Sequence, residues 1–174
     1  MQPTHRFDTC CFIGHRDINP GDENKINARL RYLVDPLLQK NVKYFGVGGA
    51  IGFDMLAAEY ILHLRDDVKK KIKLISVLPC PDYYASWTED LIKRQKAIIH
   101  KSDKVVFTSE AFSDDVYRIR NEHLLAFSGY CITYCHRTTG GTANTVRKAI
   151  EEGLTVYNSS SWDIRQLRGR KDWT

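Results

Sequence analysis

Three clusters of residues in this 174-residue chain carry the means to hold an anion. The run Arg137-Thr138-Thr139-Gly140-Gly141-Thr142-Ala143-Asn144-Thr145 places two glycines and a hydroxyl where a helical stripe begins. Open backbone N–H groups, a threonine and the positive end of a helix dipole together suit a phosphate, although the same composition also makes a capped turn. A second run, Gly48-Gly49-Ala50-Ile51-Gly52-Phe53-Asp54, likewise opens into a helical stripe. It is neither a Walker A motif nor a strict GxGxxG, and its glycines serve either an anion or close strand-to-helix packing. Asp54 either complements the helix dipole or accepts from ribose hydroxyls. The third cluster, Gly14-His15-Arg16, is a sharp turn with two bases: a surface turn, or donors brought to a strand's exit.

Other residues extend these possibilities. Arg118-Ile119-Arg120-Asn121-Glu122-His123 offers arginines that are either solvated or paired with phosphate. Tyr84 and Trp87 follow the stiff exit Pro79-Cys80-Pro81 and are candidates to flank a planar base, while Trp87 also fits a helix's own apolar stripe. The polar loop from Thr108 to Asp114 is long enough to close over a ligand. For acid–base chemistry the candidate carboxylates are Glu59, Asp54 and Glu122. Cys131-x3-Cys135-His136 hints at a metal, but Cys131, Thr133 and Cys135 alternate as one strand face and no second ligand pair exists. We therefore expect no metal and no cofactor.

The elements that would position these residues alternate in period. Thr9–Ile13, Val42–Val47, Ile72–Leu78, Lys104–Phe107, Tyr130–Tyr134 and Leu154–Tyr157 are short β-prone runs, several continuously apolar. Between them lie helical stripes. Ile26, Leu30, Leu33, Val34, Leu37 and Leu38 form the first, and Phe53, Leu56, Ala57, Tyr60, Ile61 and Leu64 the second. Trp87, Leu91, Ile92, Ile98 and Ile99 form the third, and Tyr117, Leu124, Leu125 and Ser128 a weaker fourth. The fifth, Ala143, Val146, Ala149 and Ile150, stops at Gly153, a candidate C′ glycine. Strict β-α alternation with short connections predicts an α/β fold: a doubly wound, mostly parallel six-stranded sheet with helices on both faces. Ligands of such sheets bind beyond the carboxyl ends of the strands, where all three clusters lie.

Composition bounds the rest. The chain is 43% hydrophobic and 27% charged, as folded domains are, and its length suits one domain. We expect that domain to span 1–157, with 158–174 a polar, basic tail. The formal charge is +5. Four basic and two acidic residues fall in the tail, which leaves the body almost neutral. No apolar run approaches the roughly 20 residues needed to cross a bilayer, and the first residues lack the layout of a secretory signal. Five cysteines without framework spacing fit a reducing compartment. A cytoplasmic protein without membrane contact is the expectation.

Taken together, Gly14-His15-Arg16, Gly49-Ala50-x-Gly52-x-Asp54-x-x-Ala57-Ala58-Glu59, the Pro-rich exit with Trp87, Arg120-Asn121 and Gly140-Gly141-Thr142-x-Asn144-Thr145-Val146 resemble the YpsA-like, GHR-starting branch of the SLOG superfamily. That superfamily also holds the DNA-processing protein DprA/Smf and the Lonely Guy hydrolases. The resemblance covers about residues 9–157 and implies a Rossmann-like fold with a pocket for a nucleotide or a nucleotide-derived, NAD- or ADP-ribose-like ligand. Lonely Guy enzymes are similar in carrying an arginine on the fourth helix, matched by Arg120, but their PGGxGTxxE glutamate is replaced here by Thr145. A threonine cannot supply the carboxylate that N-glycosidic cleavage needs.

The leading expectation is thus a nucleotide-binding sensor or accessory protein. Phosphates would sit on Gly140, Gly141 and Thr142 and on Gly48, Gly49 and Gly52. Gly14, His15, Arg16 and Arg120 would add donors and charge, Asp54 would hold ribose, and Tyr84 or Trp87 the base. An N-glycosidic hydrolase is the alternative. DprA-like single-stranded DNA binding ranks last, because a near-neutral body argues against a nucleic-acid partner. Related folds pair through helices, so a homo-oligomer is compatible with this reading.

Overall fold

A computed structural model describes residues 6–167. In chain order these form β1 (Thr9–Gly14), α1 (Asp22–Gln39), β2 (Tyr44–Val47), α2 (Phe53–Asp66), β3 (Lys73–Leu78), α3 (Glu89–Lys101), β4 (Lys104–Phe107), α4 (Val116–Ala126), β5 (Tyr130–Tyr134), α5 (Gly141–Glu151) and β6 (Thr155–Asn158). The six strands form one sheet in the order β4-β3-β2-β1-β5-β6, and all five pairings are parallel. Each crossover therefore carries a helix across the sheet, and alternate strand residues face opposite layers. Cys10, Phe12, Phe45, Leu74 and Ile132 face α1, α2 and α3 in one apolar core. Cys11, Ile13, Val77 and Cys131 face α4 and α5 in the other. The sheet is doubly wound, with helices on both faces. Cys131 and Cys135 are buried in the second core. No helix among the described residues is long and apolar enough to cross a membrane.

Several apolar runs overshoot their strands for one reason. Val42 and Leu154 precede β2 and β6 but close the helices before them: their N–H groups reach back to Leu37 and Ala149 carbonyls at 3.0 Å each. In both, a left-handed residue, Asn41 at φ 65° and Gly153 at φ 79°, makes the reversal. Trp87, expected in the third helical stripe, lies instead in the turn before α3 and packs against the first core.

The segment after residue 157, expected as a tail, is part of the folded unit as far as residue 167. Asn158 ends β6; its amide donates to the Cys135 carbonyl at 2.8 Å, and its oxygen accepts the Cys135 N–H at 3.1 Å. Ser159 is buried and Leu167 enters the second core. The apolar residues Trp162, Ile164 and Leu167 outweigh the polar ones that suggested a tail. Residues 168–174 of that segment lie outside the described residues.

Candidate functional site

The connection from β1 runs toward β2 and that from β5 toward β6, in opposite directions from adjacent strands. Such a divergence opens a crevice beyond the carboxyl ends of the strands. A cavity of about 330 Å³ lies there, at the small end of the ligand-pocket range of roughly 300–1,000 Å³. Gly14, His15, Arg16, Asp54, Arg120, Gly140, Gly141 and Thr142 all line it.

His15 is fixed by its backbone. Its N–H donates to the Tyr134 carbonyl at 3.1 Å, and its own carbonyl accepts the Phe53 N–H at 3.2 Å. Both ring nitrogens face donors: the His136 N–H lies 3.3 Å from Nε2 and an Arg137 Nη2 lies 3.2 Å from Nδ1. A neutral imidazole can accept only one of these and an imidazolium neither. Burial foremost, with Arg137 and His136 adding to it, pushes the pKa down to about 4. His15 is therefore neutral near pH 7. Arg137 is held instead by Asp17 at the rim, with contacts of 3.2 and 2.9 Å.

The turn after β2 is closed around the protein's own charges. The buried Asp54 carboxylate accepts the Gly48 and Ala50 N–H groups at 3.1 and 3.3 Å through one oxygen. The buried Arg120 guanidinium lies 3.7 Å from that oxygen and donates to the Gly48 carbonyl in a short contact. Tyr83 donates its hydroxyl proton to the Gly49 carbonyl at 2.7 Å and accepts from the Gln95 amide at 2.9 Å. Among the described residues, Arg120 Nε has no hydrogen-bond partner. Burial raises the Asp54 carboxyl above the usual range and lowers the Arg120 guanidinium from its own; each partner's charge opposes the other's shift. The glycines follow from this crowding. A Cβ at Gly48 would strike Arg120, one at Gly49 the Tyr83 hydroxyl, and one at Gly52 the Arg16 carbonyl.

The turn after β5 is the opposite. A Cβ at Gly140 or Gly141 would meet nothing within 4 Å. No side chain caps α5, so the first N–H groups of an 11-residue helix open toward the cavity. Arg16 lays its guanidinium 5.0 Å from the centre of the Tyr117 ring on the same wall, and Arg120 lies 5.9 Å from it. Thr145, expected from the resemblance to stand where Lonely Guy enzymes have a glutamate, lies in the second turn of α5. Its hydroxyl donates to the Gly141 carbonyl at 2.9 Å and accepts from Asn121 at 3.0 Å, which ties α5 to α4.

Several expected site residues are not brought here. Gly48, Gly49 and Gly52 are packed beneath the cavity, and two of the amides expected to cradle phosphate point at Asp54. Asp54 reaches the cavity with one oxygen already engaged. Glu59 is bound by both oxygens to Arg94 across α2 and α3, at 2.5 and 2.7 Å. Glu122 pairs with Lys148 at 2.9 Å and Arg118 at 3.0 Å, which hold its carboxyl below the usual range. Tyr84 and Trp87 pack with Tyr83, with ring centres 5.0 and 5.6 Å from its own. Neither is among the residues that line the cavity. The cavity also takes in Asp17 and Tyr117, which the sequence does not mark as site residues, and Arg137, which opens the glycine-rich run after β5. In the sequence Tyr117 is masked by its fit to an apolar stripe. Among the described residues no group of three or more His, Cys, Asp or Glu side chains could hold a metal ion.

The family model for YpsA, described as the YspA SLOG family, matches residues 19–167. The chain belongs to this SLOG family. The match leaves out Gly14, His15 and Arg16, which the cavity brings in. No curated protein matches. Among solved structures, DNA processing protein A (DprA) from Streptococcus pneumoniae is similar at 19% identity and TM-score 0.62, over 86% of this chain and 49% of that one. DNA processing protein A from Helicobacter pylori, whose structure concerns a single-stranded DNA binding mode, is similar at 20% identity and TM-score 0.61, over 89% of this chain and 67% of that one. This SLOG chain thus spans about half of the pneumococcal protein and two thirds of the other, and shares their fold. The expectation that near-neutrality argues against nucleic acid is corrected by this likeness, because a DNA-binding protein has the same fold. Net charge averages over the surface, whereas Arg16, Arg120 and Arg137 concentrate at one cavity.

Proposed function

We propose that this SLOG domain binds the phosphate of a nucleotide or nucleotide-derived molecule and acts as a sensor or accessory protein. One observation carries the reading: the uncapped α5 N-terminus faces a switch-point cavity that also holds Arg16 and Arg137. The phosphate rests on the Gly141 and Thr142 amides, where dipole and N–H groups favour an anion. Arg137 exchanges Asp17 for the ligand, since a rim ion pair is worth little. Arg120 stays below, bound to Asp54, and shapes the floor. Binding rather than turnover is favoured, because Glu59 and Glu122 are engaged in ion pairs off the cavity and Asp54 is engaged by amides and Arg120.

Titration calorimetry against nucleoside mono- and diphosphates, ADP-ribose and NAD tests this. Saturable binding is expected, weakened about tenfold or more by Arg137→Ala, as for loss of a charge-assisted hydrogen bond. Silence across the panel overturns the assignment. A second reading, supported by the fold shared with DprA, places a single-stranded DNA phosphate on the same amides. An oligonucleotide competing with a bound nucleotide, with strong salt dependence, would favour it.

A further inference from the structure

The polar stretch between β4 and α4 carries one large apolar side chain that the fold does not use. Phe112, within Ser109-Glu110-Ala111-Phe112-Ser113-Asp114-Asp115, is 65% exposed. Folding gains little from an aromatic left in water, and a polar loop gains nothing in solubility from it. Its ring contact is with Tyr117: the centres are 6.2 Å apart and the planes cross at 75°, an edge-to-face pair. Tyr117 is also the tyrosine of the cavity wall, and its ring is already engaged by the Arg16 and Arg120 guanidinium groups. The wall aromatic is therefore occupied, and the aromatic attached to it is open.

We propose that Phe112 is the base-stacking residue of the site, with Tyr117, which lines the cavity, the positioning residue against which it packs. The inference rests on the nucleotide reading above and adds to it the side chain that meets the base, so that a nucleoside phosphate binds better than a sugar phosphate. The polar lining near the α5 N-terminus takes the phosphate, and the loop brings an apolar face to the other end of the ligand. Stacking is indifferent to base identity, since every base has a π-face, so purine and pyrimidine nucleotides both gain from it. Tyr84 and Trp87, half-buried against Tyr83, are not needed for this role.

The test compares the full chain with Phe112→Ala and Phe112→Trp, titrated with AMP, UMP and ribose 5-phosphate. Phe112→Ala is expected to weaken AMP and UMP about tenfold while ribose 5-phosphate changes less than about twofold. Phe112→Trp is expected to retain AMP binding and to show indole quenching by AMP that the unaltered chain lacks. Unchanged AMP affinity in Phe112→Ala, equal losses for all three probes, or ribose 5-phosphate binding the unaltered chain as tightly as AMP each overturns the stacking role. All three of these leave the phosphate reading standing. If the unaltered chain binds none of the three, both readings fall together.

Discussion

The two glycine-rich turns that leave β2 and β5 are alike in composition and unlike in what surrounds them. At the first, each glycine is required by a protein atom that presses on it, and the amides of Gly48 and Ala50 serve the protein's own carboxylate. At the second, Gly140 and Gly141 border open space; neither α2 nor α5 has a side-chain cap, but the Phe53 N–H that opens α2 is taken by the His15 carbonyl. The first turn carries its anion as Asp54; the second leaves its glycines open. Glycine thus has two separate uses on one sheet edge, close internal packing and access from outside.

Substitutions can break this contrast. Asp54→Ala should have the largest effect, because it leaves the Arg120 charge and two N–H groups buried without their acceptor. A loss of about 4 kcal/mol in urea unfolding is expected; a loss below about 1 kcal/mol would show that the pair does not organise the turn. Gly52→Ala comes next, at about 3 kcal/mol, since its φ of 80° and the Arg16 carbonyl both oppose a side chain. His15 follows, through pH. Its folded pKa of about 4 lies below its ordinary 6.5, so the fold favours the neutral ring. That contribution is complete above about pH 6.5 and is lost as pH falls toward 4. A decline of roughly 1–3 kcal/mol over that window is expected in urea titrations, flattened by His15→Asn. Gly141→Ala should be the mildest for the fold, within about 0.5 kcal/mol, yet should weaken the nucleotide affinity of the unaltered chain. Equal destabilisation by Gly52→Ala and Gly141→Ala would erase the contrast.

Much of the architecture is legible in the amino-acid order because parallel strands covered on both faces read as continuous apolar runs. Lys104–Phe107 and Tyr130–Tyr134 coincide with β4 and β5. The ends blur where one apolar residue does two jobs, as Val42 and Leu154 do in capping a helix before the next strand. At the site, Gly140–Thr142 and Gly14–Arg16 could be located because β-α alternation places every post-strand turn on one edge. What each turn does there depends on tertiary neighbours. Nothing near Gly48 in the chain announces that Arg120, 72 residues on, will fill the space beside it. Nor does the spacing of Glu59 reveal that Arg94 from the next helix will bind both its oxygens. Tyr117 fits an apolar stripe, and only the packed helix shows that its ring faces the arginines.

The bond from the Phe53 N–H to the His15 carbonyl, with the Arg16 backbone seated against Gly52, has a consequence for how the cavity can change shape. It clamps the exits of β1 and β2 to the start of α2, so that wall moves as one piece with the core and cannot swing aside. Any change in the shape of the cavity must then come from its other sides, the start of α4 and the turn after β5.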